Sequence, residues 1–128
     1  AAGHVSLLLL PGDAARPLAE AARSNARALA LLSPDYSANA YSFALRYQNC
    51  NQWVAELLAS AWGEGVADRA AAQAWLRAQG FVPTAFAPAF PPLLWGSVFI
   101  PFLHHADHPP EELAAGRFQV TMPESIEA

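Results

Sequence analysis

Tyr41-Ser42-Phe43-Ala44-Leu45-Arg46-Tyr47-Gln48-Asn49-Cys50-Asn51-Gln52-Trp53-Val54-Ala55-Glu56-Leu57-Leu58 changes its hydrophobic period halfway along. In the first half, Tyr41, Phe43, Leu45 and Tyr47 alternate with Ser42, Ala44 and Arg46, the period-two pattern of a strand with one buried face. From Cys50 onward, Trp53, Val54, Leu57, Leu58 and Ala61 recur at i, i+3, i+4 and i+7 as far as Gly63, the stripe of an amphipathic helix. Asn49 suits the cap of that helix, because its side-chain oxygen can accept from an amide two or three residues on. Gln52, three positions later, can reach back as in a capping box. The stretch therefore predicts a strand feeding directly into a helix, with Cys50 in the first helical turn.

Toward the N-terminus, Val5 to Leu10 is an unbroken apolar run closed by Pro11-Gly12-Asp13, which reads as a buried strand entering a turn. The alanine-rich stretch Asp13 to Leu32 sets Leu18, Ala22, Leu29 and Leu32 at helical spacing, with Pro17 tolerated in the first turn. It predicts one helix from about Arg16 that Ser33-Pro34-Asp35 stops. Toward the C-terminus, Asp68 to Gln79 reads as a helix turning Ala72, Trp75 and Leu76 inward and ending at Gly80. Phe81 to Phe86 and Phe118 to Met122 read as short strands, with Pro88 to Pro92 a connector. Leu94 to Leu103 is apolar, and its periodicity leaves strand and helix open. The expected class is α+β: a small mixed or antiparallel sheet with packed helices, in a single domain over residues 1–128.

Composition excludes several function classes. A hydrophobic fraction of 54% against 14% charge is incompatible with disorder. The seven basic residues are all arginine, the net charge is -4, and no basic stripe is visible, so nucleic acid is excluded as a partner. The longest apolar stretch, Leu93 to Leu103, is broken by Gly96, Ser97 and Pro101 and falls short of the roughly twenty residues that a membrane span needs. The chain opens at Ala1 and its one methionine is Met122, so it is expected to be the C-terminal portion of a longer protein. One cysteine cannot form an internal disulfide. The residues leave the oligomeric state open.

Cys50 is the residue on which chemistry centres. A helix start presents unpaired amides carrying about half a positive charge, which favours a nearby anion such as a thiolate. Asn49, Asn51 and Gln52, with Tyr47 just upstream, surround it with groups suited to orienting a substrate carbonyl or donating to an oxyanion. The plain alternative is a small buried hydrophobe. A nucleophilic thiol works with a histidine base. His4 immediately precedes the first apolar run, and His104-His105-Ala106-Asp107-His108-Pro109 gathers three more, with Asp107 available to hold an imidazole tautomer. His105 and His108 are the bases this segment offers, and the alternative for each is a solvated loop residue. The same cluster admits metal binding, but its spacing follows no established zinc pattern, and no metal or cofactor is expected. No serine lies in a Gly-x-Ser-x-Gly elbow, and no phosphate loop is present.

From Tyr41 to Leu58, and again at Tyr36-Ser37-Ala38-Asn39-Ala40, Asp107-His108-Pro109 and Met122-Pro123-Glu124-Ser125-Ile126-Glu127, the chain resembles a mostly proteobacterial family catalogued as domain of unknown function 2145. The core Tyr47-Gln48-Asn49-Cys50-Asn51-Gln52-Trp53 is specific to it. That resemblance implies an exported, periplasmic protein whose members are typically longer than this chain. Asn49-Cys50 opening a helix after a strand is also similar to the Asn-Cys motif of circularly permuted NlpC-like enzymes, within the papain-like group. There the nucleophile comes late in the chain and the histidine base lies on an upstream strand, so His4 is the base that this similarity implies, unless a preceding segment supplies another. The expectation is a thiol hydrolase or acyltransferase acting on a small-molecule, peptide or lipid amide or ester through Cys50. The alternative is a non-catalytic binding or interaction domain of the bacterial envelope.

Overall fold

The computed structural model describes residues 7–87 and 100–127. In chain order its elements are α1 (Gly12–Arg23), α2 (Asn25–Ala30), α3 (Cys50–Trp62), α4 (Arg69–Ala78), β1 (Thr84–Phe86), α5 (Pro110–Ala114), β2 (Phe118–Val120) and α6 (Pro123–Glu127). This mixture of helices with a small antiparallel sheet is of the α+β class. β1 and β2 pair in the register Thr84 with Val120 and Phe86 with Phe118, inside the two short strands that the sequence marks there.

α3 is the axis of the fold, and α1, α4 and α6 pack on it. Leu31, Ala55, Leu57, Ala59, Ala72 and Leu76 form the buried core, closed over by Leu18, Trp53, Trp75, Phe81 and Ile126. Burying one such leucine contributes about 1.5–3 kcal/mol. Both α3 indoles also bond the N-terminal helices: Trp53 Nε1 donates to the Ala28 carbonyl at 3.2 Å and Trp62 Nε1 to that of Ala14 at 3.0 Å. α4 starts on Asp68, whose carboxylate accepts from the Ala71 amide, and ends at Gly80, whose φ of +79 is the left-handed conformation that glycine adopts without strain. At the end of α3, Gly63 lets the chain pass so close to Val66 and Trp75 that a Cβ there would lie 2.6 Å and 2.9 Å from them.

Three expectations are corrected. The single helix over Asp13 to Leu32 is two, because Ser24 takes an extended ψ of 99 and its hydroxyl accepts from the Arg27 amide to cap α2. The break shifts the helical phase of residues 25–32, so Leu31 is buried while Leu29 and Leu32 are exposed; Ala22, ahead of the break, is exposed as well. Leu7 to Leu10 form no ladder, and Leu7, Leu8 and Leu9 are exposed. An apolar run becomes a buried strand only where a neighbour takes its amides, and no described strand lies alongside; Val5 falls outside the described residues.

The third correction is the alternating segment Tyr41 to Tyr47, which is a series of turns and bends. Among the described residues its only pairing is an isolated bridge from Tyr41 to Val120, and Gln48 just beyond bridges to Tyr36. Side chains from α3 and α4 take the carbonyls that a ladder would use. Two short helices, α5 and α6, carry no sequence reading. With five residues each they are too brief to leave a periodic signature, and α6 covers most of the Met122 to Glu127 stretch that reads only as a motif. Pro88 to Pro92 and most of Leu94 to Leu103 lie outside the described residues.

Candidate functional site

Cys50 is the first residue of α3 and is an exposed free thiol. Asn49 caps the helix as its sequence position requires: its side-chain oxygen accepts from the Gln52 amide at 2.7 Å, and its Nδ2 donates to the carbonyls of Thr121 at 3.2 Å and Ala38 at 3.4 Å. Gln52 does not reach back to close a capping box. Its Nε2 points instead at the carbonyls of Tyr41, Ser42 and Ala44, at 3.1–3.4 Å. Tyr47, Gln48, Asn49 and Gln52 are all buried, so Cys50 is an exposed residue between buried neighbours. The thiol borders a recess of about 440 Å³ lined by Leu32, Ser33, Tyr36, Gln48, Asn49 and Trp53. Leu32, Tyr36 and Trp53 make its walls largely apolar. Asn51 is half-buried beside it.

Beneath the thiol lies a buried polar lattice. The face of α3 that turns inward carries Gln52 and Glu56 as well as Ala55 and Ala59, whereas Val54, which belongs to the apolar stripe, is exposed. Glu56 is 0% exposed. Its carboxylate accepts from Gln48 Nε2 at 2.6 Å, Gln73 Nε2 at 2.8 Å and Arg69 Nε at 2.9 Å. Arg69, at the first position of α4, also donates to the carbonyls of Leu45 at 2.6 Å, Tyr47 at 3.0 Å and Ala44 at 3.2 Å. Gln48 ties the lattice outward, donating to the Leu31 carbonyl at 2.8 Å and accepting from the Ser33 amide at 2.9 Å.

Three histidines, His104, His105 and His108, gather against the 36–49 loop. Asn39 is their hub: its Oδ1 accepts from the Ser37 hydroxyl at 2.8 Å and the His104 amide at 3.2 Å, and its Nδ2 meets His105 Nδ1 at 2.9 Å. An amide nitrogen can only donate, so Nδ1 is the acceptor and His105 carries its proton on Nε2. His108, fully buried, meets the Asn39 carbonyl through Nε2 at 2.7 Å, which requires a proton on that nitrogen. Asp107 Oδ1 lies 3.9 Å from the same nitrogen, and Oδ2 accepts from the Tyr41 amide at 2.8 Å. The rings of His105 and His108 pack on Phe118, His108 also touches Tyr41, and His104 stacks on Tyr47 with centroids 4.4 Å apart. Nearby, the Arg117 guanidinium, joined by Gln119, holds the Glu112 carboxyl below the usual carboxylate range against the opposing push of burial.

The structure thus joins two of the motif stretches, Tyr36 to Ala40 and Asp107 to Pro109, at Asn39. It sets His105 and His108 side by side and leaves both out of the Cys50 recess, whose described lining holds no imidazole. His4 lies outside the described residues. The polar groups of Asn49 and the amide nitrogen of Gln52 are taken up internally, so the recess presents chiefly Cys50 and its apolar walls. Among the described residues no group of three or more histidine, cysteine, aspartate or glutamate side chains could hold a metal ion, and no described helix is long and apolar enough to cross a membrane.

Sequence reasoning missed Glu56, Arg69, Gln73 and Asn39. Two signals were available. Glu56 is a carboxylate at the centre of a helix with an apolar stripe and without a basic residue four positions on, and Arg69 is a cation in a first turn, where the helix field disfavours it. Over residues 1–128 the chain matches the family model described as "Uncharacterized protein conserved in bacteria (DUF2145)". No curated protein and no solved structure matches it.

Proposed function

The chain belongs to this family of uncharacterized proteins conserved in bacteria, and on that premise we propose a thiol-dependent hydrolase or acyltransferase that acts on an amide or ester through Cys50. The observation that carries the proposal is the exposure of Cys50 at the edge of a recess, between buried neighbours. Free cysteine is ordinarily among the most buried residue types. An exposed one, set on a backbone fixed by internal hydrogen bonds, supports a role toward a visiting molecule. In the reaction the thiolate attacks the carbonyl carbon, a C–S bond forms, and the C–N or C–O bond breaks as the leaving amine or alcohol takes a proton. Water or an acceptor hydroxyl or amine then cleaves the thioester and releases the thiolate. The first-turn amides of Cys50 and Asn51, which no carbonyl of the helix can take, are the donors proposed for the oxyanion.

The imidazole proposed for the proton is that of His4, which the similarity implies; His105 and His108 meet Asn39 and do not line the recess. The apolar walls at Leu32, Tyr36 and Trp53 favour a substrate with an apolar group beside its carbonyl, as in an acylated lipid or an aromatic peptide. Asn49-Cys50 opening an amphipathic helix supports papain-like or permuted NlpC-like descent, although a loop and not a strand leads into it. Export to the periplasm belongs to the same proposal and rests on the family resemblance.

Alkylation kinetics at neutral pH test the nucleophile. Cys50 is expected to react faster in the folded protein than in a denatured control, and an aryl ester is expected to leave an acyl mass that Cys50→Ser abolishes. A folded rate no higher than the denatured one sinks the enzyme reading. A second reading, a non-catalytic binding domain of the envelope, is favoured by the described recess lining, which holds Tyr36 and Trp53 and no imidazole. It requires that Cys50→Ser bind an apolar ligand as tightly as the parent protein.

A further inference from the structure

We infer that Glu56 and Arg69 are positioning residues for the Cys50 thiol, an inference that rests on the thiol reading above. The segment that leads into Cys50 has no ladder to hold it, and the carbonyls of Ala44, Leu45 and Tyr47 are fixed by the Arg69 guanidinium. Glu56 fixes that guanidinium in turn and holds Gln48, which lies two residues before the thiol and also lines its recess. From α4 to Cys50 the path is therefore continuous: Arg69 and Glu56, then the 44–48 backbone, then the Asn49 cap, then the thiol.

Net stability does not account for this arrangement. A buried ion pair replaced by apolar residues of similar volume is often neutral or more stable, since the charges no longer have to leave water. Arg69 adds a cation in the first turn of α4, where the helix field opposes it. An apolar pair cannot donate to three carbonyls of an irregular loop, whereas a guanidinium fork, with five N–H donors, can do so and still bond the Glu56 carboxylate. The lattice exchanges desolvation cost for a single conformation of the loop, and so of the residue at its end.

The test compares the whole chain with its Glu56→Met/Arg69→Met double variant. The variant is expected to keep its circular dichroism spectrum and to melt cooperatively. Its Cys50 alkylation rate, taken relative to its own denatured control, is expected to fall about tenfold, the scale of a small misplacement of a reacting group. The 19F resonance of a trifluoromethyl label on Cys50 is expected to be single in the parent protein and broadened or split in the variant. A folded double variant with the parent rate and one sharp resonance overturns the inference. If the double variant does not fold, Arg69→Lys decides: it keeps the charge beside Glu56 but lacks the fork, so it is expected to fold, to slow alkylation and to broaden the resonance, and parent behaviour on both overturns the inference. Amide exchange at residues 44–49 separates the two proposals. Should the parent thiol react no faster than its denatured control, the enzyme reading falls, while loss of protection and of the single resonance in the variants still supports the positioning role; unchanged protection and an unchanged resonance overturn that role.

Discussion

Asn49 shows how much one side chain does at the start of α3. It caps the helix with its oxygen and satisfies the Thr121 and Ala38 carbonyls with its nitrogen. Asn49→Ala is expected to cost about 2–4 kcal/mol in urea unfolding, a lost cap plus carbonyls left without a donor. Asn49→Asp keeps the acceptor but turns an oxygen toward those carbonyls, so it should recover little of that loss; full recovery would mean that the cap alone matters. The cap was legible in the sequence because a cap is a local device. The other half of the Asn49 contribution was not, since Thr121 is 72 positions away. The same distance effect hid Asn39, whose partners lie in the 104–108 segment.

Among the elements, α3 and α4 were legible from periodicity and caps, while the strand over Tyr41 to Tyr47 was misread. Alternation records which side chains are apolar, not which donors will reach the backbone, and here Arg69, Gln52 and Gln73 take the carbonyl of Ala44 among them. The buried face of α3 was misjudged for a related reason: a carboxylate with three donors around it is as much an inward residue as a leucine. At the junction of α3 with α4, Gly63→Ala would press a methyl group against Val66, the Ala59 carbonyl and Trp75. Thermal unfolding should show a loss of about 1–3 kcal/mol, the usual result of overpacking. In α5, Glu112 titrates below the usual carboxylate range because of Arg117, which lies between α5 and β2. A carboxyl lowered in the folded state stabilises it at pH values above the usual carboxylate range, and that contribution is lost as pH falls through the lowered value. NMR titration should therefore show Glu112 moving back up in Arg117→Met, with the stability difference between the two proteins vanishing in strong acid.

For the molecule as a whole, Glu56 is the residue on which α3, α4 and the loop before α3 converge. Glu56→Ala strands the Arg69 cation among buried groups and is expected to cost about 3–5 kcal/mol, a large share of the stability of a domain this size. Adding Arg69→Met to that change should restore much of the loss, which denaturant melts of the single and double variants would measure. The class of the fold, α+β, was legible from the order of periodic segments, but the arrangement around Cys50 was not, because it is held by polar contacts between distant parts of the chain.

That reliance on distant contacts has a consequence for biosynthesis. Cys50 is joined through its cap to Thr121, and the loop before it through Ser42 to the same residue at 2.9 Å. During translation the thiol is therefore made long before the stretch that seats it, and contacts so remote in sequence form slowly. A nascent chain carries Cys50 without the Thr121 anchor of its cap for that interval, until the residues around Thr121 have been added.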